Sequence, residues 1–79
     1  MDYLDAAVTV LREEGVSLHW TVIQDLALKR GYLDPFTQRD IRKHLLAALS
    51  DAARQGTLRK DGRGIFALPA ATESFDDTG

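Results

Sequence analysis

Residues 37–68 read TQRDIRKHLLAALSDAARQGTLRKDGRGIFAL, one amphipathic segment that runs into two short strand-like stretches. Ile41, Leu45, Ala48, Leu49 and Ala52 recur at helical spacing and so share one apolar face. Thr37, three residues before Asp40, resembles a capping box, which predicts that this helix begins at Thr37. Gly56 supplies the stop. At roughly 100° per residue, Arg39, Lys43, Ser50 and Arg54 fall opposite the apolar face. Arg42 lies on one flank, and Asp40, His44 and Asp51 lie on the other. Beyond Gly56, Thr57 to Lys60 and Arg63 to Leu68 have strand character. Asp61-Gly62 between them predicts a tight type I′ hairpin turn. Leu58, Phe66 and Leu68 supply the core side, and Arg59, Lys60 and Arg63 surround the tip.

Toward the N-terminus, Pro35 disfavours helix at Asp34, so Tyr32 to Phe36 is a connector. Before it, Ile23, Leu26, Ala27 and Arg30 define a second helix that starts near Trp20 and stops at Gly31, with Leu28 off its face. Leu4, Ala7, Val8 and Leu11 define a first helix, with Asp2 as N-cap and Gly15 as a left-handed stop. Val16-Ser17-Leu18 between these helices is long enough only for a brief strand. After a domain at 1–69, residues 70–79 carry little apolar content and are expected to form an acidic tail or the start of a linker.

The chain has 79 residues, 44% of them apolar, with 2 histidines and no cysteine. That size supports one domain. Without cysteine there is neither a disulfide framework nor a thiolate zinc site, and two histidines alone do not close a metal centre. No apolar run approaches the ~20 residues that cross a bilayer. The N-terminus is acidic and periodic, unlike a secretory signal. A cytoplasmic, nucleoid-associated protein without cofactor or metal is the expectation. The net charge of −2 conceals an asymmetry: residues 1–28 sum to −4, residues 29–35 to +1, residues 36–68 to +4 and residues 69–79 to −3. The C-terminal half is thus suited to an anionic partner.

Helix, short strand, helix, helix and hairpin is the order of a winged helix-turn-helix, an α+β fold with a β-hairpin wing. In that fold the third helix enters the major groove with its N-terminal residues toward the base edges. Arg39, Arg42 and Lys43 are then candidate DNA contacts on the helix, and Arg59, Lys60 and Arg63 on the wing. Gln38 is a candidate reader of adenine. Each also has a plainer use. The helix cations can solvate a surface, the wing cations can protect a strand edge, and Gln38 can pack. Gly62 and Gly64 are read as turn geometry rather than a phosphate cradle, His19 as a local cap or packed ring, and Trp20 as a plug at the core edge. Asp40, His44 and Asp51 read as surface ion pairing, not a metal site. Ser17, His19 and Asp25 make no triad, so catalysis is not expected.

Leu11 to His19 (LREEGVSLH), with Ile23, Ala27 and Gly31, resembles the HARE-HTH domain, and so does the ending GRGIFAL from Gly62 to Leu68. The resemblance spans about residues 2–69. That family is a winged helix-turn-helix found in the delta subunit of bacterial RNA polymerase, in restriction enzymes and in eukaryotic chromatin proteins. The resemblance implies a link between double-stranded DNA and the transcription, restriction or chromatin machinery, and no catalysis. The alternative is a protein-docking module, for example on RNA polymerase. Leu28 and Leu46, apolar and off the core faces, would then seed a partner surface or a weak dimer in place of a monomer.

Overall fold

Asp2 opens the first helix as read from sequence: its carboxylate accepts the Asp5 N–H at 2.8 Å. The resulting helix α1, Tyr3–Glu14, ends at Gly15 with φ of 71°. The strand that follows, β1, is Leu18–His19 rather than Val16 to Leu18. Its position is set by pairing, because Leu18 and His19 stand opposite Phe66 and Ile65. Helix α2, Trp20–Lys29, starts where expected, with His19 as N-cap: its Nδ1 accepts the Thr21 N–H at 3.3 Å. These observations come from a computed structural model, which describes residues 1–69. The expected acidic tail at 70–79 lies outside the described residues.

Helix α3 is Ile41–Gln55, so Thr37 does not begin it. The residues before it form a separate turn. The Asp34 carbonyl accepts the Thr37 and Gln38 N–H groups at 3.3 and 2.8 Å, and Gln38 Oε1 accepts the Asp34 N–H at 2.8 Å. The left-handed backbone of Asp40, between this turn and Ile41, interrupts a helix that would run on from Thr37. The N-cap position falls to Asp40, a left-handed residue at φ 50° whose side chain makes no capping bond. Aspartate tolerates this conformation better than most residues. His44 Nδ1 holds it by donating to the carbonyls of Arg39 and Asp40 at 3.2 and 3.0 Å. Tyr3, stacked on the His44 ring, donates its hydroxyl to the Arg39 carbonyl.

The wing consists of β2, Arg59–Gly62, and β3, Ile65–Ala67, with β3 central in a three-stranded antiparallel sheet ordered β1-β3-β2. The turn sits at Arg63-Gly64, two residues later than Asp61-Gly62. A type I′ turn at Asp61-Gly62 needs positive φ at both residues, yet in this hairpin only Gly64 has it, at 72°. The register slips between Lys60 and Gly62, which leaves Asp61 as an extra residue in β2. Three helices and this sheet form the α+β winged-helix arrangement.

The core joins these elements through α1, which buries two neighbouring stripes. Ala7 and Leu11 pack with Ile23, Leu45, Leu49, Ala52, Leu58 and Phe66. Ala6 and Val10 pack with Ala27 and Leu33. The sequence pattern revealed only the first stripe, because a helix wedged between two others buries a wider arc than one apolar row. Leu33, assigned to a connector, is fully buried, whereas Ala48, Leu4 and Val8 are half-buried.

Gly64 also permits a close approach. A Cβ there would meet His19 Nε2 at 3.0 Å and Trp20 Cδ1 at 3.1 Å, whereas Gly31, also at positive φ (77°), has open space around it. Alanine at either site incurs the left-handed penalty of roughly 1–2 kcal/mol. Gly64→Ala should therefore destabilise measurably more than Gly31→Ala in parallel urea or thermal unfolding, with a melting temperature lower by roughly 4–8 °C for each kcal/mol lost.

Candidate nucleic-acid interface

Trp20 is the residue at which α2, α3 and the wing meet. Its backbone N–H donates to the Gly64 carbonyl at 2.8 Å, which ties the wing turn to the start of α2. Its half-buried ring packs against the larger core cluster. The Arg42 guanidinium of α3 stands 5.4 Å from the ring centroid, within cation–π range. Arg42 of α3 thus lies on the indole of the residue whose backbone holds the turn that carries Arg63. At the other end of the wing, Lys60 lines a groove with Ser50, Ala53 and Arg54 of α3. The strand carrying Lys60 therefore runs beside the C-terminal half of α3.

Ion pairing then sorts the basic residues. Arg54 is held by Asp51 one turn earlier. Arg59 is held by both oxygens of Asp61, at 2.6 and 2.9 Å. The Arg59 hydrogen bond, with a smaller contribution from the Ser17 hydroxyl, holds the Asp61 carboxyl below its ordinary range. Arg59 is thus committed within the wing rather than presented as an open cation. Among the described residues, no carboxylate lies within ion-pair distance of Arg39, Arg42, Lys43, Lys60 or Arg63. Each of the two pairs removes one base and one acid. The surplus of +4 over residues 36–68 is therefore unchanged, but it is carried by these five cations against Asp40 alone.

The two residues that precede α3 differ from expectation. Gln38 uses both ends of its amide inside the fold: Oε1 on the Asp34 N–H, and Nε2 donating to the Met1 carbonyl at 3.2 Å. It holds the turn and is not presented to a base. Arg39 lies in the turn and not on the helix, with an exposed side chain beside the groove that Arg42 also lines. Lys43 occupies the outward face of the first turn of α3 and is exposed. Leu28 and Leu46 are half-buried, so they form no exposed apolar pair. Phe36, beside the groove, is the large apolar side chain most open to water among the described residues, at 95% exposure.

A second charged cluster is built from α1, α2 and the start of the connector, without α3 or the wing. Arg30 reaches Glu13 at 2.7 Å and Glu14 at 2.6 Å, and the Tyr32 hydroxyl donates to Glu13. The Tyr32 bond, followed by Arg30, lowers the Glu13 carboxyl below its ordinary range. No sequence spacing announced this clamp, because its partners lie 16 to 19 positions apart. The Arg42–Trp20 contact was hidden for the same reason. No group of three or more histidine or acidic residues suited to a metal ion occurs among the described residues. No helix there is long and apolar enough to cross a membrane. In comparisons with known proteins, no family model, curated protein or solved structure matches the chain.

The clamp makes stability depend on acid. A lowered folded-state pKa contributes stability that is complete above the ordinary value of 4.5 and is lost as pH falls through the folded value. Urea midpoints of the native chain should thus fall between about pH 5 and pH 3. Glu13→Gln should be less stable at neutral pH and should lose part of that slope. The slope due to Asp61, lowered by Arg59, should remain.

Proposed function

We propose that the domain binds double-stranded DNA, with the N-terminal half of α3 in the major groove and the wing on the phosphate backbone. The observation that carries this reading is the shared corner at Trp20. There Arg42 lies over the ring, and the ring's own backbone N–H fixes the turn that bears Arg63. Two basic elements held in one orientation can meet one duplex; the same charges on independently moving elements would not preserve a register. The sorting of ion pairs supports the same reading, since Arg42, Lys43, Lys60 and Arg63 keep their charge for a partner. Backbone contacts by such cations position a protein on DNA and supply most of its salt-sensitive affinity. The resemblance of Gly62 to Leu68 and Leu11 to His19 to the HARE-HTH domain points the same way. It suggests a place in transcription or another DNA-associated machinery.

Docking on a protein such as RNA polymerase remains the competing reading, and it differs in one measurable respect. With about five phosphate contacts, the slope of log K against log[salt] for a duplex should be near −4.5. Arg42→Ala and Lys43→Ala should each weaken binding and reduce that slope by about 0.9. Lys29→Ala, which removes an exposed cation from the last turn of α2, should change neither. Asp61→Asn, which removes a negative charge from the wing, should tighten binding. No duplex binding at ~50 mM salt, where electrostatic contacts are strong, would favour the docking reading.

A further inference from the structure

The turn between α2 and α3 fixes an aromatic ring in water. Single exposed apolar residues are ordinary on protein surfaces, but few are so nearly complete in their exposure on a turn this closely bonded. Phe36 is 95% exposed although its backbone is tethered. Its N–H donates to Asp34 Oδ1 at 2.9 Å, and the surrounding turn is closed by the Asp34 and Gln38 bonds described above. The ring forms part of an open groove shared with Gln24, Leu28, Arg39, Ile41 and Arg42. One feature of that groove asks for a partner: Arg39 and Arg42 meet no carboxylate among the described residues.

These features match one chemical class closely. A planar face for Phe36 and an anion for the two guanidinium groups are two things a nucleotide presents together: base and phosphate. A base inside a duplex is stacked on both faces and cannot offer one to Phe36. An unpaired base can, and stacking of this kind is a general mode of single-strand recognition. Arg42 belongs both to this groove and to the Trp20 corner. A strand that leaves a duplex seated on α3 and the wing therefore has the groove beside it. We propose that the α2–α3 groove takes an unpaired nucleotide, so that the domain favours a junction between duplex and single strand over uninterrupted duplex. This rests on the duplex reading for the position of the strand. An acidic peptide with an aromatic side chain is the rival occupant.

The test uses the full chain and fluorescein-labelled DNA followed by anisotropy at about 50 mM salt. The probes are a blunt duplex and the same duplex with about three unpaired nucleotides on the 5′ or the 3′ side. One overhang should bind about tenfold tighter than the blunt duplex, the order that a stacked base supplies. Phe36→Ala should abolish the difference while leaving blunt-duplex affinity and melting temperature unchanged, because the ring buries almost nothing in the fold. Equal affinity for blunt and overhung probes in the native chain overturns the groove assignment and leaves the duplex reading standing. Binding to neither probe overturns both. A Phe36→Ala loss that is equal for all probes shows the ring acting on the duplex, and it overturns the unpaired-base assignment. So does Phe36-dependent binding of an acidic aromatic peptide when the overhangs confer no gain.

Discussion

The structure turns on the contact between Trp20 and Gly64. The tryptophan N–H donates to the glycine carbonyl at 2.8 Å, and a Cβ on Gly64 would stand only 3.0 Å from His19 Nε2 and 3.1 Å from Trp20 Cδ1. An intramolecular hydrogen bond contributes only about 1 kcal/mol net, so its weight lies in what it positions. It docks a two-stranded wing, marginal by itself, onto the N-terminus of α2. The same indole carries the Arg42 guanidinium on its face. Together with the β1–β3 pairing and the packing of Leu58 and Phe66 with Leu45, Leu49 and Ala52, this corner orients the wing against α3 and with it the display of their cations.

Local signals were read well where a single residue decides the conformation. Asp2, Gly15, His19 and Gly56 each ended or began a helix as the sequence implied, because capping needs only near neighbours. Reading failed where one local motif stood beside another. Thr37 has the form of a cap, but the residues from Asp34 to Gln38 close a turn of their own and Asp40 is left-handed, so the helix starts at Ile41. Asp61-Gly62 has the form of a hairpin turn, but the left-handed residue of the wing is Gly64, where the turn meets Trp20. Of the candidate contacts, the sequence placed Lys43, Arg42, Lys60 and Arg63 on elements that do adjoin. It had no means of showing that Gln38 is bound within the turn, that Arg59 is held by Asp61, or that Phe36 is exposed. Those are outcomes of pairing and packing between residues that no fixed spacing links.

Electrostatics refine the picture more than they enlarge it. The formal surplus of the C-terminal half survives folding, but ion pairing concentrates it. Arg54 and Arg59 are engaged with Asp51 and Asp61, and the excess falls to Arg39, Arg42, Lys43, Lys60 and Arg63. The acidic half is organised separately around Arg30, Glu13 and Glu14. Exposed pairs of this sort contribute little to stability. Their larger effect is to decide which charges remain available to a partner, and so how strongly salt weakens the encounter.

If these cations act together on one nucleic-acid surface, amide chemical-shift mapping with a short duplex will locate them there. Shifts confined to Trp20, the 39–43 stretch and the 60–64 stretch, fading together as salt is raised, are the result this account predicts. Shifts centred on Glu13, Arg30 and Tyr32, or a spectrum unmoved by DNA at ~50 mM salt, would contradict it.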